Sequence, residues 1–510
     1  MIKNPVIRGF APDPSALRIG KDYYIANSTF EWFPGVRLHH STNLEDWEEI
    51  APPLTRKSQL DMTGDPNSGG IWAPDISYKD GLFYLVYTDV KSKNATWYND
   101  HNYTVWASSI EGPWSEPVYL NSSGFDPSFF HDEDGKTWLV NMREGFRGIL
   151  IQQFDTDVKK LTGPVHTIYR GTRAGLTEGP HVYRINGYYY LLVAEGGTGF
   201  GHQITIARSK ELTGPYETMD SPLLTSNDDG SQMLQKAGHG DLFQDAEGGW
   251  YVSYLCSRPV GGHLKCVLGR ETAIEKVVWE NGWPRLAHGG YHPSPAADID
   301  EKNYYDTFTG STLDYGWKTL RIPLDGDVSL TEKKGFVCLR GRETIFSNHH
   351  VSLIARKQEF FKASVKTGLD FSPLCPEHAA GILYMYDNMH FYMMLKSVSE
   401  EGKTILTVYD YQGIKFVKLH EEFISEGYCT LELRTDSKKA QFYVQEIGCG
   451  SRPSGPKLDA SLISDDEARG FTGAHFALYC HDRTGLQYPA FFTNFSIESL
   501  KNIVQEDFFR

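Results

Sequence analysis

Glu178-Gly179-Pro180-His181, followed closely by Asn186-Gly187-Tyr188-Tyr189-Tyr190-Leu191-Leu192-Val193-Ala194-Glu195-Gly196-Gly197, reads as one hairpin. An acidic residue opens a short apolar run, a Gly turn reverses it, and an aromatic run returns. The same order recurs four times more: Asp13-Pro14-Ser15 before GKDYYIANSTF, Asp75-Ile76-Ser77 before DGLFYLVYTDV, Asp126-Pro127-Ser128 before DGKTWLVNM, and His239-Gly240-Asp241 before EGGWYVSYLC. The period of roughly 50–60 residues is that of a propeller blade. A second repeat, LEDWEEI, IEGPWSEP and LTGPYETM, reads as a turn before an outer strand, with Trp47, Trp114 and Tyr216 packing between blades. Four strands per unit around an axis is the propeller plan.

Working outward, the expected architecture is all-β: a five-bladed β-propeller over residues 1–290, a linker over 291–305 and a β-sandwich of the concanavalin type over 306–510. The linker reading rests on the aperiodic, Pro/Gly/Asp-rich PRLAHGGYHPSPAADIDEKNYY. The sandwich reading rests on short alternating runs such as TILTVYDY, CTLELRT and AHFALYCH. A chain of 510 residues exceeds one ordinary core. The formal charge of −15 makes a poor partner for nucleic acid. Seven cysteines, an odd number with no CxxC and none before Cys256, argue against a disulfide framework or a zinc site. No apolar run is long enough to span a membrane and no export signal opens the chain, so a cytoplasmic protein is expected.

In a propeller the first strand of each blade starts at the axis. Asp13, Asp75, Asp126, Glu178 and Asp241 are therefore expected to approach one channel at a shared register. Acids before turns often only bond backbone N–H groups. That accounts for one copy more readily than for five. Paired carboxylates are what glycosidic cleavage needs, one to protonate the leaving oxygen and one to activate water or attack the sugar. Phe30-Glu31-Trp32-Phe33 and Gly70-Ile71-Trp72 supply aromatic surface of the kind that covers the CH faces of sugars.

NPVIRGFAPDPS, STFEWFPGV, GGIWAPDISY, GFDPSFFHD, LTEGPH, AGHGD and LGRETAI follow in order through the first 275 residues. In these blocks the chain resembles glycoside hydrolase family 43, in particular its two-domain β-xylosidase and α-L-arabinofuranosidase members. Arg469-Gly470-Phe471-Thr472-Gly473 extends the resemblance into the second half. The resemblance implies an inverting enzyme with Asp13 as general base, Glu178 as general acid and Asp126 as the carboxylate that tunes the acid. It implies Arg270 as a substrate contact, Phe30 and Trp72 as subsite walls, and Phe471 as a pocket-rim residue lent by the sandwich. His202 is a further candidate beside the pocket. The resemblance also places His239 in the channel beneath the substrate, where it could bind a divalent cation, Ca²⁺ or Mg²⁺, with Asp241 in support. No organic cofactor is expected.

The expected activity is release of terminal D-xylose from β-1,4-xylooligosaccharides, with α-L-arabinofuranose release as the alternative. A sugar-binding protein without catalysis is the alternative of another class. The partner is a small oligosaccharide, not nucleic acid or membrane, and a homo-oligomer is in keeping with similar enzymes. Gly196-Gly197-Thr198-Gly199-Phe200-Gly201 lacks GxGxxG spacing and precedes a strand-like run, so it is not a phosphate loop. His349-His350 has no Cys or acidic residue at zinc spacing and reads as a surface pair.

Overall fold

A computed structural model describes residues 2–93, 97–260 and 264–502. The fold is all-β, and it divides into two compact units. The first comprises Met1–Arg258 and Arg270–Asp298; the second comprises Pro259–Gly269 and Ile299–Arg510.

The first unit contains five antiparallel sheets in chain order. Their first strands are Ser15–Ile19, Gly70–Lys79, Ser128–His131, Glu178–Ile185 and Gln235–Gln244. Each lies against the first strand of the next sheet, and the last lies against the first, so the five form a closed ring. In each sheet the hairpin read from sequence is present: Ser15–Ile19 pairs with Asp22–Asn27, and Glu178–Ile185 with Tyr188–Glu195.

Apolar side chains from neighbouring sheets interleave and hold them face to face. Ala26 and Leu38 of the first sheet pack with Ile76, Leu85 and Val105 of the second. Leu192 and Ile206 of the fourth pack with Leu242 and Val252 of the fifth. Ile25 of the first packs with Phe243 and Ile274 of the fifth, across the point where the chain begins. That junction is also hydrogen-bonded. The Asn4 side-chain amide donates to the Ile274 carbonyl at 2.9 Å and its oxygen accepts the Ile274 N–H at 2.9 Å.

The second repeat proves to be one device used three times. Trp47 Nε1 donates to the Leu44 carbonyl, Trp114 Nε1 to the Ile110 carbonyl and the Tyr216 hydroxyl to the Leu212 carbonyl. Each ring closes its own turn; Trp114 also lies in the core shared by the first two sheets, and Trp47 packs against the core shared by the first and fifth.

In the second unit a six-stranded sheet runs in the order Ser352–Lys357, His475–Asp482, His378–Asp387, His390–Val398, Thr404–Gln412, Phe416–Phe423. An eight-stranded sheet centred on Ala363–Asp370 and Pro489–Ser499 forms the other layer. One core lies between them, with Tyr384, Met394 and Phe476 from the first and Leu369, Leu431 and Phe492 from the second. The short stretch Pro259–Gly269 joins this unit: Val267 lies in that core, and its carbonyl accepts the Ala474 N–H at 2.9 Å. The expected linker is partly anchored in the first unit, since Ser294 bonds Glu275 and Ala297 N–H donates to the Asn4 carbonyl.

Among the described residues no helix is long and apolar enough to cross a membrane. All seven cysteines are free thiols. His350 is paired with Asp327, and His349 is exposed.

Candidate active site

The ring of first strands carries two layers of polar residues rather than one. Ser15, Asp75, His181 and Asp241 occupy matching places in their hairpins, facing Ala26, Val86, Leu192 and Ser253. They also touch one another. The Ser15 hydroxyl is 3.0 Å from Asp75 Oδ1 and 3.3 Å from Asp241 Oδ2, and His181 Nδ1 is 3.6 Å from both Asp75 Oδ1 and Asp241 Oδ1. Asp75 Oδ2 accepts the Phe129 N–H, Asp241 Oδ2 accepts the Ala16 N–H, and the Tyr183 hydroxyl donates to Asp241 Oδ1. These two acids thus tie neighbouring sheets together.

Asp13, Glu178 and His239 come two or three residues before Ser15, His181 and Asp241, Asp126 lies two residues before the Ser128–His131 strand, and these four form the second layer. The expectation of five acids at one register therefore needs correction. Asp75 and Asp241 align with Ser15 and His181, not with Asp13 and Glu178.

Asp13 is 5% exposed. Its Oδ2 accepts the Ser28 hydroxyl at 2.6 Å and its Oδ1 accepts Arg270 Nη1 at 3.1 Å. His239 Nδ1 stands 3.6 Å from the same Oδ1. Burial pushes this carboxyl up, but Arg270, His239 and the Ser28 hydroxyl outweigh it, and its pKa lies below the ordinary value. It is an ionised carboxylate, suited to accept a proton.

Glu178 is the opposite case. Burial raises its pKa well above the ordinary value, the charges of Asp126 and Asp13 raise it further, and Arg270 only partly offsets them. Asp126 is also raised, by burial and by Asp13, against the pull of the Gly179 N–H, which donates to Asp126 Oδ2 at 2.9 Å. Asp126 and Glu178 titrate as a pair: whichever ionises first holds the proton on the other. Two carboxyl groups driven apart in proton affinity within one site are the acid–base pattern of hydrolases.

The backbone is unusual here. Asp13, Phe30, Asp126 and His239 have φ of 52°, 48°, 53° and 42°, in the left-handed region that non-glycine residues seldom occupy. Such strain gathers at functional sites. Gly179 (φ 55°) is required on two counts, since a Cβ there would also lie 2.8 Å from His239 Nε2.

Phe30 and Trp72 meet with ring centroids 6.3 Å apart, Phe125 packs on Trp72 at 4.9 Å, and the Arg270 guanidinium lies 5.4 Å from the Phe30 centroid. His202 is fully buried, and burial with the neighbouring charges of His239 and Arg270 pushes its pKa down to about 3. It is a neutral ring behind the site. Phe471 belongs to the second unit, half-buried just after the Asp465–Ala468 helix.

Sequence reading missed two contributors. Ser28 lies on the return of the first hairpin, and Thr198, in the rejected Gly-rich loop, accepts Arg270 Nη1 at 2.8 Å through its hydroxyl oxygen. Neither has a sequence signal beyond following the second strand of its hairpin.

The fold, and a site that gathers carboxyl groups of unequal acidity, are those of a hydrolase. Residues 2–284 match the family described as glycosyl hydrolases family 43, and residues 305–498 match the β-xylosidase C-terminal concanavalin A-like domain. The chain is 42% identical to xylosidase/arabinosidase 43B of Humicola insolens, over 97% of each chain. It is 41% identical to a β-xylosidase of Bacillus subtilis (strain 168), over 97% of this chain and 99% of that one. The crystal structure of a xylan β-1,4-xylosidase from Bacillus halodurans C-125 superposes with a TM-score of 0.92 at 46% identity, over 98% of this chain and 100% of that one. The chain belongs to glycoside hydrolase family 43.

Proposed function

We propose that the protein removes single D-xylose units from the non-reducing end of β-1,4-xylooligosaccharides, with inversion at the anomeric carbon. The observation that carries this is the opposed ionisation of Asp13 and Glu178 in one site. Asp13, held ionised by Arg270 and Ser28, takes a proton from water as that water attacks the anomeric carbon. Glu178, held protonated, delivers its proton to the leaving glycosidic oxygen. Asp126 keeps the acid charged with that proton, and Arg270 fixes the base. The activity named for the relatives supports xylose as the sugar released.

Asp13, Asp126, Glu178 and Arg270 all come from the first unit, which we read as a five-bladed propeller; the closed ring of five first strands supports this. Replacing Glu178 with Gln should cut kcat on xylobiose by about 10²–10⁴-fold. It should spare an aryl xyloside whose leaving group needs no proton. Proton NMR of the first-released sugar should show α-xylose. Equal loss on both substrates, or a β product, would overturn the reading. The relative named as a xylosidase/arabinosidase favours arabinofuranose as a second product. Release of arabinose from an arabinosyl-xylooligosaccharide at a rate exceeding that on xylobiose would make it the first.

The cation expected at His239 fits another histidine better. His239 faces Asp13, whose other neighbours are Arg270 and Ser28, and abuts Gly179. Asp75, His181 and Asp241 instead offer three buried donor atoms within 4.8 Å of one another. Burial and the Asp241 charge push Asp75 up to about 6, against the pull of His181, as expected of crowded carboxylates that a divalent cation would relieve. Bound there, a cation would supply charge compensation in the channel. Elemental analysis of the purified protein should find Ca²⁺ or Mg²⁺ near one per chain, lost in D75N, with a lower thermal midpoint after EDTA. A metal-free protein whose midpoint EDTA leaves unchanged would sink this.

A further inference from the structure

Glu195 is fully buried and has no cation within ion-pairing distance among the described residues. A buried carboxylate is costly unless its oxygens are satisfied. Here four donors satisfy them. Oε1 accepts the Thr172 N–H at 2.6 Å and the Thr177 hydroxyl at 2.9 Å. Oε2 accepts the Thr172 hydroxyl at 2.7 Å and the Thr205 hydroxyl at 2.8 Å. Charge-assisted bonds of this kind are the stronger ones, and only a carboxylate accepts all four without turning a donor toward them.

Three of the four donors belong to one loop, the segment that runs into the strand of Glu178. Thr177 is the residue immediately before Glu178. Glu178 faces Ala194 in the hairpin, so extending the pairing by one residue sets Glu195 opposite Thr177. The Gly196 N–H adds a bond to the Gly175 carbonyl at 2.8 Å. Space for the clamp exists because residue 171 is glycine, with φ 82°: a Cβ there would stand 1.9 Å from Thr177 Oγ1 and 2.8 Å from Glu195 Oε1. Thr205, from the third strand of the same sheet, anchors the carboxylate on its far side.

The geometry points to Glu195 as a positioning residue for the general acid. It fixes the loop from Thr172 to Thr177, and through Thr177 the place of the Glu178 backbone, without touching substrate. This rests on the reading of Glu178 as the acid. A clamp that only stabilises the fold lowers turnover of all substrates alike. A clamp that aims the acid matters most where the leaving group needs a proton, because misplacement by a fraction of an ångström weakens proton transfer.

The test compares xylobiose with 2,4-dinitrophenyl β-D-xyloside for the wild type and for E195A, E195Q, T177V and E178Q, with thermal midpoints measured alongside. Glu195→Ala removes every acceptor and should lower kcat on xylobiose by about tenfold or more while the aryl substrate stays within about twofold. Glu195→Gln and Thr177→Val each preserve shape and should show the same selectivity with smaller loss. Equal losses on both substrates, or none in the three clamp variants while E178Q remains selective, would overturn the clamp. An unselective E178Q would instead overturn the assignment of the acid itself.

Discussion

At the scale of single residues, the site works because similar carboxyl groups have different neighbours. Asp13 touches a guanidinium and a hydroxyl, whereas Glu178 stands among other acids. The pH dependence follows. As the proposed base, Asp13 works ionised, so activity should be lost as pH falls through its lowered pKa. As the proposed acid, Glu178 works protonated, so activity should be lost as pH rises through its raised pKa. Asp126→Asn removes a charge that holds the proton on Glu178. Its alkaline limb in kcat/KM should move to lower pH while the acid limb stays, and a profile shifted the other way would remove Asp126 from that role. Asp13, Asp126 and Glu178 were legible as candidates because each sits in a distinctive short block and the family resemblance implies a role for each. Thr198 and Glu195 were not. An acid at the end of an apolar strand looks the same in sequence whether it faces water or four donors.

Among elements, the hairpin repeat was legible from its turns, but its register was not read correctly. Aligning the copies on their acids sets residues of different layers side by side. Counted back from the turns that begin at Gly20, Asp80 and Asn186, the residues that match are Ser15, Asp75 and His181. A side-chain layer is set by distance from the turn, because strand pairing is fixed there. The ring closes through Asn4, which is 2% exposed and also donates to Glu275 Oε1 at 3.1 Å. Asn4→Ala would leave buried groups of the Glu271–Glu280 strand unpaired, at about 2–4 kcal/mol. Calorimetry should show a thermal midpoint several degrees lower, with kcat at low temperature little changed. An unaltered midpoint would show that the Asn4 bonds do not hold the ring shut.

For the whole molecule, the two-part organisation was visible in the change from hairpin repeat to irregular alternation. What no local pattern revealed is that Pro259–Gly269 belongs with the second part. Those residues follow the Trp250–Ser257 strand and resemble any long connection. Only their partners, Asp466 for the Cys266 N–H and the sandwich core for Val267, give them away. The chain therefore enters the second unit, returns at Arg270 to complete the fifth sheet, and leaves again after Asp298. The two units are interlaced in genetic order. An exchange of C-terminal halves at a single crossover near residue 298 would join a new sandwich to an old insert, whose Val267 and Cys266 were shaped for another core. The residue next to that insert, Arg270, grips Asp13. Inheritance as one indivisible block, rather than as shuffled modules, is the history such threading favours.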